Sequence, residues 1–117
     1  MSVFEELKGL GVDVDGGLER AMGDRSLYTM MLGMFADTVR TTTIAPEEFD
    51  GGLEPLIEKV HMLKGTAGNL SLTPIFNGYN RTLELLREGQ PGKARAEFEA
   101  MRPVQEKLMD CIKKSAL

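Results

Sequence analysis

The 117-residue chain has no tryptophan, one cysteine and one histidine, and these scarcities exclude several classes of protein. Cys111 alone cannot form a disulfide within the chain, and one cysteine with one distant histidine lacks recognisable zinc-ligand spacing. No apolar run approaches the roughly 18–20 residues that span a bilayer. Glu5 and Glu6 stand where a secretory signal would be basic. We therefore expect a cytoplasmic protein with no metal or other cofactor.

Basic residues are also fewer than acidic ones. The 14 lysines and arginines are outnumbered by 18 acidic residues, which gives a formal net charge of -4, and the basic residues form no stripe. A general nucleic-acid binder needs such a stripe to neutralise phosphates, so we expect no nucleic-acid partner. The 42% apolar and 27% charged composition is ordinary for a globular protein, and the length suits a single domain over residues 1–117.

Helical periodicity dominates the chain, and no convincing run of alternating β-branched residues occurs. We therefore predict an all-α protein. Capping residues at helix starts and glycines at helix ends set the predicted bounds. The predicted helices run from Ser2 to about Leu10, from Asp15 to Gly23, from Asp24 to about Thr42, from Asp50 with Pro55 to near Ser71, from Thr73-Pro74 to Gly89, and from Pro91 onward through a kink at Pro103.

The apolar residues of each long helix fall on one stripe, as a buried face requires. After Asp24 the stripe is Leu27, Met31, Phe35 and Thr38 or Val39, with Tyr28, Met30 and Met34 near its edges. The next helix contributes Leu53, Leu56, Val60, Leu63, Ala67 and Leu70. The last two contribute Ile75 or Phe76, Tyr79, Leu83 and Leu86, and then Ala94, Phe98, Met101, Val104, Leu108 and Cys111 or Ile112. Four such helices predict an antiparallel four-helix bundle, with one or two short N-terminal helices covering one end.

His61 projects away from the buried stripe of its helix. At about 100° per residue, and with His61 at zero, Gly65 lies at about 40° and Gly68 at about 340°. Lys64 lies at about 300° and Asn69 at about 80° on the same projection. Because a neutral imidazole can accept a phosphoryl group and release it again, we predict that His61 is phosphorylated.

The neighbours of His61 favour this function over a merely solvated histidine. Glycine inside a helix costs about 0.5–1 kcal/mol relative to alanine, so Gly65 and Gly68 indicate a need for close approach by another molecule. Lys64 can offset negative charge on a transferring phosphoryl group, and Asn69 can add a hydrogen-bond donor. Tight helix packing is the alternative reason for the two glycines.

The segment around His61 resembles the signature of histidine-containing phosphotransfer domains, which is a His-x-Leu-Lys-Gly core followed by small residues. The matching residues are His61-Met62-Leu63-Lys64-Gly65-Thr66-Ala67-Gly68-Asn69-Leu70. Further similarity lies in Gly11 to Arg20, in Asp24 to Phe35 and in Leu83-Glu84. Two residues depart from the family pattern: Ser71 stands where a glycine is common, and Asn80 where a small apolar residue is common.

The resemblance implies a four-helix bundle that shuttles a phosphoryl group between receiver-domain aspartates in a multistep two-component phosphorelay. It implies that His61 is the phosphorylated residue and that Lys64 and Gly65 support it. The expected partners are receiver domains of response regulators or hybrid histidine kinases.

No Gly-x-x-x-x-Gly-Lys loop offers a nucleotide site, so we expect a phosphocarrier rather than an enzyme. An enzyme based on Glu47-Glu48 is disfavoured, because adjacent helical residues do not converge. We expect the partner to dock on Gly68, Asn69, Met30 and Met34, and we expect no membrane. The alternative is a non-phosphorylated helical adaptor that binds a signalling partner.

Overall fold

A computed structural model describes residues 2–115, which form six α-helices and one 3-10 helix, with no strand in that range. The all-α prediction is confirmed. The helices are α1 (Val3–Gly9), α2 (Val14–Arg20), α3 (Arg25–Thr41), the 3-10 helix (Pro46–Phe49), α4 (Glu54–Asn69), α5 (Thr73–Arg87) and α6 (Pro91–Ser115). Within the part of the chain that is described, no helix is both long enough and apolar enough to cross a membrane.

Side-chain caps start the first two helices. The hydroxyl of Ser2 accepts a hydrogen bond from the Glu5 amide at 3.2 Å, as the sequence predicts. The predicted cap at Asp15 is wrong. The Asp13 carboxylate accepts a hydrogen bond from the Gly16 amide at 3.1 Å, and α2 begins at Val14, directly after Asp13. A contact distant in sequence selects Asp13, since its own amide donates to the Ser71 carbonyl.

Asp24 caps α3 through the Leu27 amide, as predicted, but the buried face of α3 is rotated from the predicted one. Tyr28, expected near the edge, is fully buried because its hydroxyl donates to the Leu70 carbonyl at 2.7 Å. The remaining buried residues of α3 are Leu32, Phe35 and Ala36. The predicted residues other than Phe35 are only partly buried: Leu27, Met31, Thr38 and Val39.

The connection between α3 and α4 is held by one carboxylate. Glu48 accepts a hydrogen bond from the Lys59 ammonium and another from the Ala45 amide, each at 2.6 Å. Lys59 also donates to the Thr43 carbonyl at 2.9 Å. The hydrogen bond from Lys59 is the main reason that the pKa of Glu48 is lower than usual. Thr43 and Glu48 of the connection are therefore tied to Lys59 of α4, two residues before His61.

Two predicted helix starts are displaced. Asp50 does not cap α4, which begins at Glu54 after Leu53, because Asp50 follows directly on the 3-10 helix. Thr73 is the first residue of α5 rather than its cap, and its hydroxyl donates to the Ser71 carbonyl. The predicted buried residues of α5 are confirmed: Ile75, Tyr79, Leu83 and Leu86.

Helix α6 continues through Pro103 as one helix, as predicted. Proline removes the hydrogen bond to the carbonyl four residues earlier, and Glu99 at that position is exposed, so its carbonyl can be hydrated. The prediction that Val104 is buried is wrong, since this residue is 37% exposed. The sequence leaves open whether Cys111 or Ile112 is buried, and both residues are buried.

The long helices share one core. Helix α5 packs against both α4 and α6, while α3 contacts α6 and α4, and α1 lies against α6. Aromatic contacts join these elements: Phe98 of α6 lies against Tyr79 of α5 and against Phe49 of the 3-10 helix. This packing buries one face of α4 and leaves the opposite face of that helix, which carries His61, exposed to solvent.

We expect Lys59→Met to lower the free energy of unfolding by about 1 kcal/mol at pH 7, because Glu48 then loses its charged donor. The pKa of Glu48 is lower in the folded than in the unfolded protein, so its contribution is present above the unfolded pKa and is lost as pH falls through the folded pKa. The difference between the variant and wild type, measured by urea unfolding, should shrink below about pH 4. Lys107→Met, at an exposed lysine of α6, is the control; equal losses in both variants would contradict the anchoring role.

Candidate functional site

His61 lies near the middle of α4 and its side chain is exposed. The buried residues of the same helix occupy the opposite face: Leu56, Val60, Leu63 and Ala67. This confirms the prediction that His61 projects away from the core. Burial of those four side chains fixes the rotation of α4 and so presents the imidazole to solvent.

No hydrogen bond or ion pair engages the imidazole of His61 within residues 2–115. Lys64, three residues on and therefore within one turn, is half-buried and is likewise without an ion pair in that range. A ring nitrogen of His61 and the ammonium of Lys64 are thus both available to a second molecule. An ammonium at this spacing can stabilise negative charge that develops on a group bonded to the imidazole.

The two glycines on this side of α4 have different environments. A Cβ added at Gly65 would meet no atom within 4 Å, so nothing within the described chain requires a glycine there. A Cβ at Gly68 would lie 3.1 Å from two ring carbons of Phe76 on α5. Gly68 therefore permits close packing of α4 on α5, which was the alternative reason considered for both glycines, and Gly65 alone provides open space beside His61.

The C-terminal end of α4 is held by Arg20 of α2. Its Nη1 donates to the Gly68 carbonyl at 2.6 Å and to the Ser71 hydroxyl at 2.9 Å. Ser71 has φ of 57°, in the left-handed region where glycine is favoured, and it is buried. Glycine adopts such a φ without strain, which is a physical reason for a glycine at a position of this kind. In this chain the residue is a serine, and its hydroxyl accepts a hydrogen bond from Arg20. The positive charge of Arg20 also complements the negative end of the α4 dipole.

Tyr28 holds a second carbonyl of the same segment, that of Leu70. Its buried hydroxyl donates to the Leu70 carbonyl, and burial, together with the charge of Asp13, raises the pKa of Tyr28 to about 12. The hydroxyl therefore stays protonated and remains a donor at neutral pH. Arg20 and Tyr28 together fix where α4 ends and thus the position of His61 along the helix axis.

Three methionines on α3 and α4 are exposed. Met30, Met34 and Met62 are 56%, 61% and 43% exposed, respectively. Met34 of α3 and Asn69 of α4 line one groove of about 220 Å³ between these helices, whereas Met30 lies outside it. Two of the predicted partner-binding residues are thus brought together. Flexible methionine side chains are common on surfaces that bind other proteins.

A second groove, of about 530 Å³, continues the His61 face towards the end of α4. Gly65, Gly68 and Asn69 line it from α4, while Arg20 of α2 and Asn77 of α5 line it from the other side. We call this the polar groove. Sequence reasoning missed Arg20 and Asn77, because each reaches the groove through helix packing and neither belongs to a local motif.

Replacing each glycine by alanine separates their roles. Gly65→Ala should raise the free energy of unfolding by about 0.5–1 kcal/mol, because alanine is the better helix former and its methyl group meets open space. Gly68→Ala should give no such gain, since its methyl group presses on Phe76. Urea unfolding of both variants measures the difference. Equal stabilisation would show that Gly68 is not needed for packing.

Comparison with known proteins identifies no relative: no family model, no curated protein and no solved structure matches the chain. An exposed imidazole with an ammonium within one turn, and with a glycine open to solvent beside it, can accept an electrophilic group from a second molecule and stabilise its negative charge.

Proposed function

We propose that the chain is a histidine-containing phosphotransfer domain that carries a phosphoryl group on His61. The group comes from the aspartyl phosphate of one receiver domain and passes to an aspartate of another, in a multistep two-component system of the cytoplasm. The observation that carries this proposal is the exposed, unengaged imidazole of His61 with Lys64 and Gly65 on the same side of α4.

The proposed transfer exchanges one bond to phosphorus for another. A neutral ring nitrogen of His61 attacks, the N–P bond forms as the P–O bond of the aspartyl phosphate breaks, and the aspartate leaves as a carboxylate. The attacking nitrogen, the phosphorus and the leaving oxygen must lie nearly in line, so the donor has to approach α4 closely. Gly65 has no side chain to block that approach, and Lys64 can stabilise the charge on the phosphoryl oxygens.

The proposed architecture is an antiparallel four-helix bundle of α3 to α6, with α1 and α2 covering one end. Helix α5 packs between α4 and α6, and α3 contacts both α4 and α6, which supports this arrangement. Such a bundle presents the side of a helix rather than a cleft. The chain is thus a phosphocarrier, and we propose that the acidic site of the receiver provides most of the catalysis.

The exposed methionines support docking of a receiver on α3 and α4. Met34 lies at the groove between these helices and Met62 lies next to His61 in sequence, so an apolar partner surface placed there would come close to the imidazole. The same methionines would equally serve a non-phosphorylated helical adaptor. The two functions differ in whether binding is accompanied by phosphorylation of His61.

Mixing the purified chain with a panel of phosphorylated receiver domains tests the proposal. Wild type should acquire a phosphate that is stable to base and labile to acid, as expected of a phosphohistidine, and His61→Gln should acquire none. Such a phosphate on His61→Gln would defeat the proposal. Receiver binding with unchanged affinity in His61→Gln, and no phosphate on wild type from any donor, would establish the adaptor instead.

Lys64→Ala should slow transfer roughly tenfold, equivalent to about 1.4 kcal/mol, because the phosphoryl oxygens lose a nearby positive charge. Lys107→Ala on α6 is the matched control and should transfer at the wild-type rate. Far-UV circular dichroism of both variants should equal that of wild type. A Lys64→Ala protein that transfers as fast as the control would remove Lys64 from the mechanism.

A further inference from the structure

The polar groove opens on the same side of α4 as His61. Gly65 and Gly68, which line it, follow His61 by four and seven residues, so they lie about 6 Å and 10.5 Å further along the helix axis. Both share the angular sector of His61. A protein that brings a reacting group to His61 would therefore cover this groove as well.

Arg20 is a pre-positioned cation in this groove. Only its Nη1 is engaged, by the Gly68 carbonyl and the Ser71 hydroxyl, and both acceptors are uncharged. Its Nη2 and Nε make no hydrogen bond within residues 2–115, and no carboxylate in that range lies within ion-pair distance. A guanidinium held at one nitrogen, with further donors free, is suited to a carboxylate of another molecule.

The remaining walls favour a peptide segment over a bare anion. The side chains of Asn69 and Asn77 are exposed and make no hydrogen bond in the described part of the chain. Each amide can donate and accept, which matches the N–H and C=O groups of a main chain. The Asp13 carboxylate also lines the groove, and besides the Gly16 amide it can accept a hydrogen bond from a main-chain N–H of such a segment. The volume of about 530 Å³ is that of a pocket for a larger group.

We propose that the polar groove binds a polar loop of the docked receiver domain, with an acidic side chain of that loop paired to Arg20. The peptide groups of the loop bond to Asn69 and Asn77. This inference rests on the proposed function and adds a determinant of specificity to it: receivers that lack an acidic residue in that loop exchange phosphate more slowly with this chain.

Steady-state transfer from a phosphorylated receiver domain tests the groove in wild type, Asn77→Ala and Arg20→Lys. Arg20→Lys retains the charge but loses the planar set of donors, so its KM should rise about tenfold. Asn77→Ala removes a side chain with no partner in the described chain, so the fold is retained while KM rises severalfold with kcat unchanged. Arg87→Lys, at the other end of α5, is the control and should keep the wild-type KM.

Phosphorylation of His61 by phosphoramidate provides a readout without docking. The P–N bond of this small donor breaks to release ammonia as the N–P bond to His61 forms, and Asn77→Ala and Arg87→Lys should react at the wild-type rate. A KM within twofold of wild type in both groove variants would overturn the inference, as would a phosphoramidate reaction of Asn77→Ala that is slowed as much as its transfer from the receiver. Failure of wild type to accept phosphate from any receiver would overturn the proposed function itself, and the inference with it.

Discussion

Burial of one face of α4 is the constraint on which the candidate site depends. Leu56, Val60, Leu63 and Ala67 are each at most 1% exposed. Turning α4 by one residue would rotate it by about 100° and bring such side chains into water, at about 1.5–3 kcal/mol for each large one. His61 makes no hydrogen bond or ion pair in the described chain that would favour a different rotation of α4. The orientation of His61 is thus a consequence of what its helix buries on the other side.

A second constraint fixes α4 along its axis. Tyr28 donates to the Leu70 carbonyl, and Arg20 donates to the Gly68 carbonyl and the Ser71 hydroxyl, so groups from α2 and α3 satisfy the end of the helix. These bonds stabilise Ser71 in a left-handed conformation that an L-residue seldom adopts. The same arginine faces the polar groove. The side chain that supports the helix end is therefore also the one that we propose to recognise a partner.

Local sequence signals predicted much of the secondary structure but erred where packing decides. Ser2 and Asp24 cap their helices as expected, because a cap depends on residues within three positions. The predicted cap at Asp15 is wrong, because the contact that favours Asp13 comes from Ser71, far along the chain. The pattern predicts Tyr28 at an edge, but its hydroxyl binds a carbonyl 42 residues away and the side chain is buried. Periodicity alone cannot reveal that a polar group will find such a partner.

The sequence by itself determined that the chain is helical, that α4 buries one stripe, and that His61 and Lys64 lie on its open side, because these follow from a repeat of 3.6 residues. Only the tertiary structure distinguished the two glycines, since Gly68 faces Phe76 of a neighbouring helix while Gly65 faces open space. It likewise brought Arg20 and Asn77 to the groove beside that face. Contacts between helices depend on how whole elements pack, and no local pattern records that geometry.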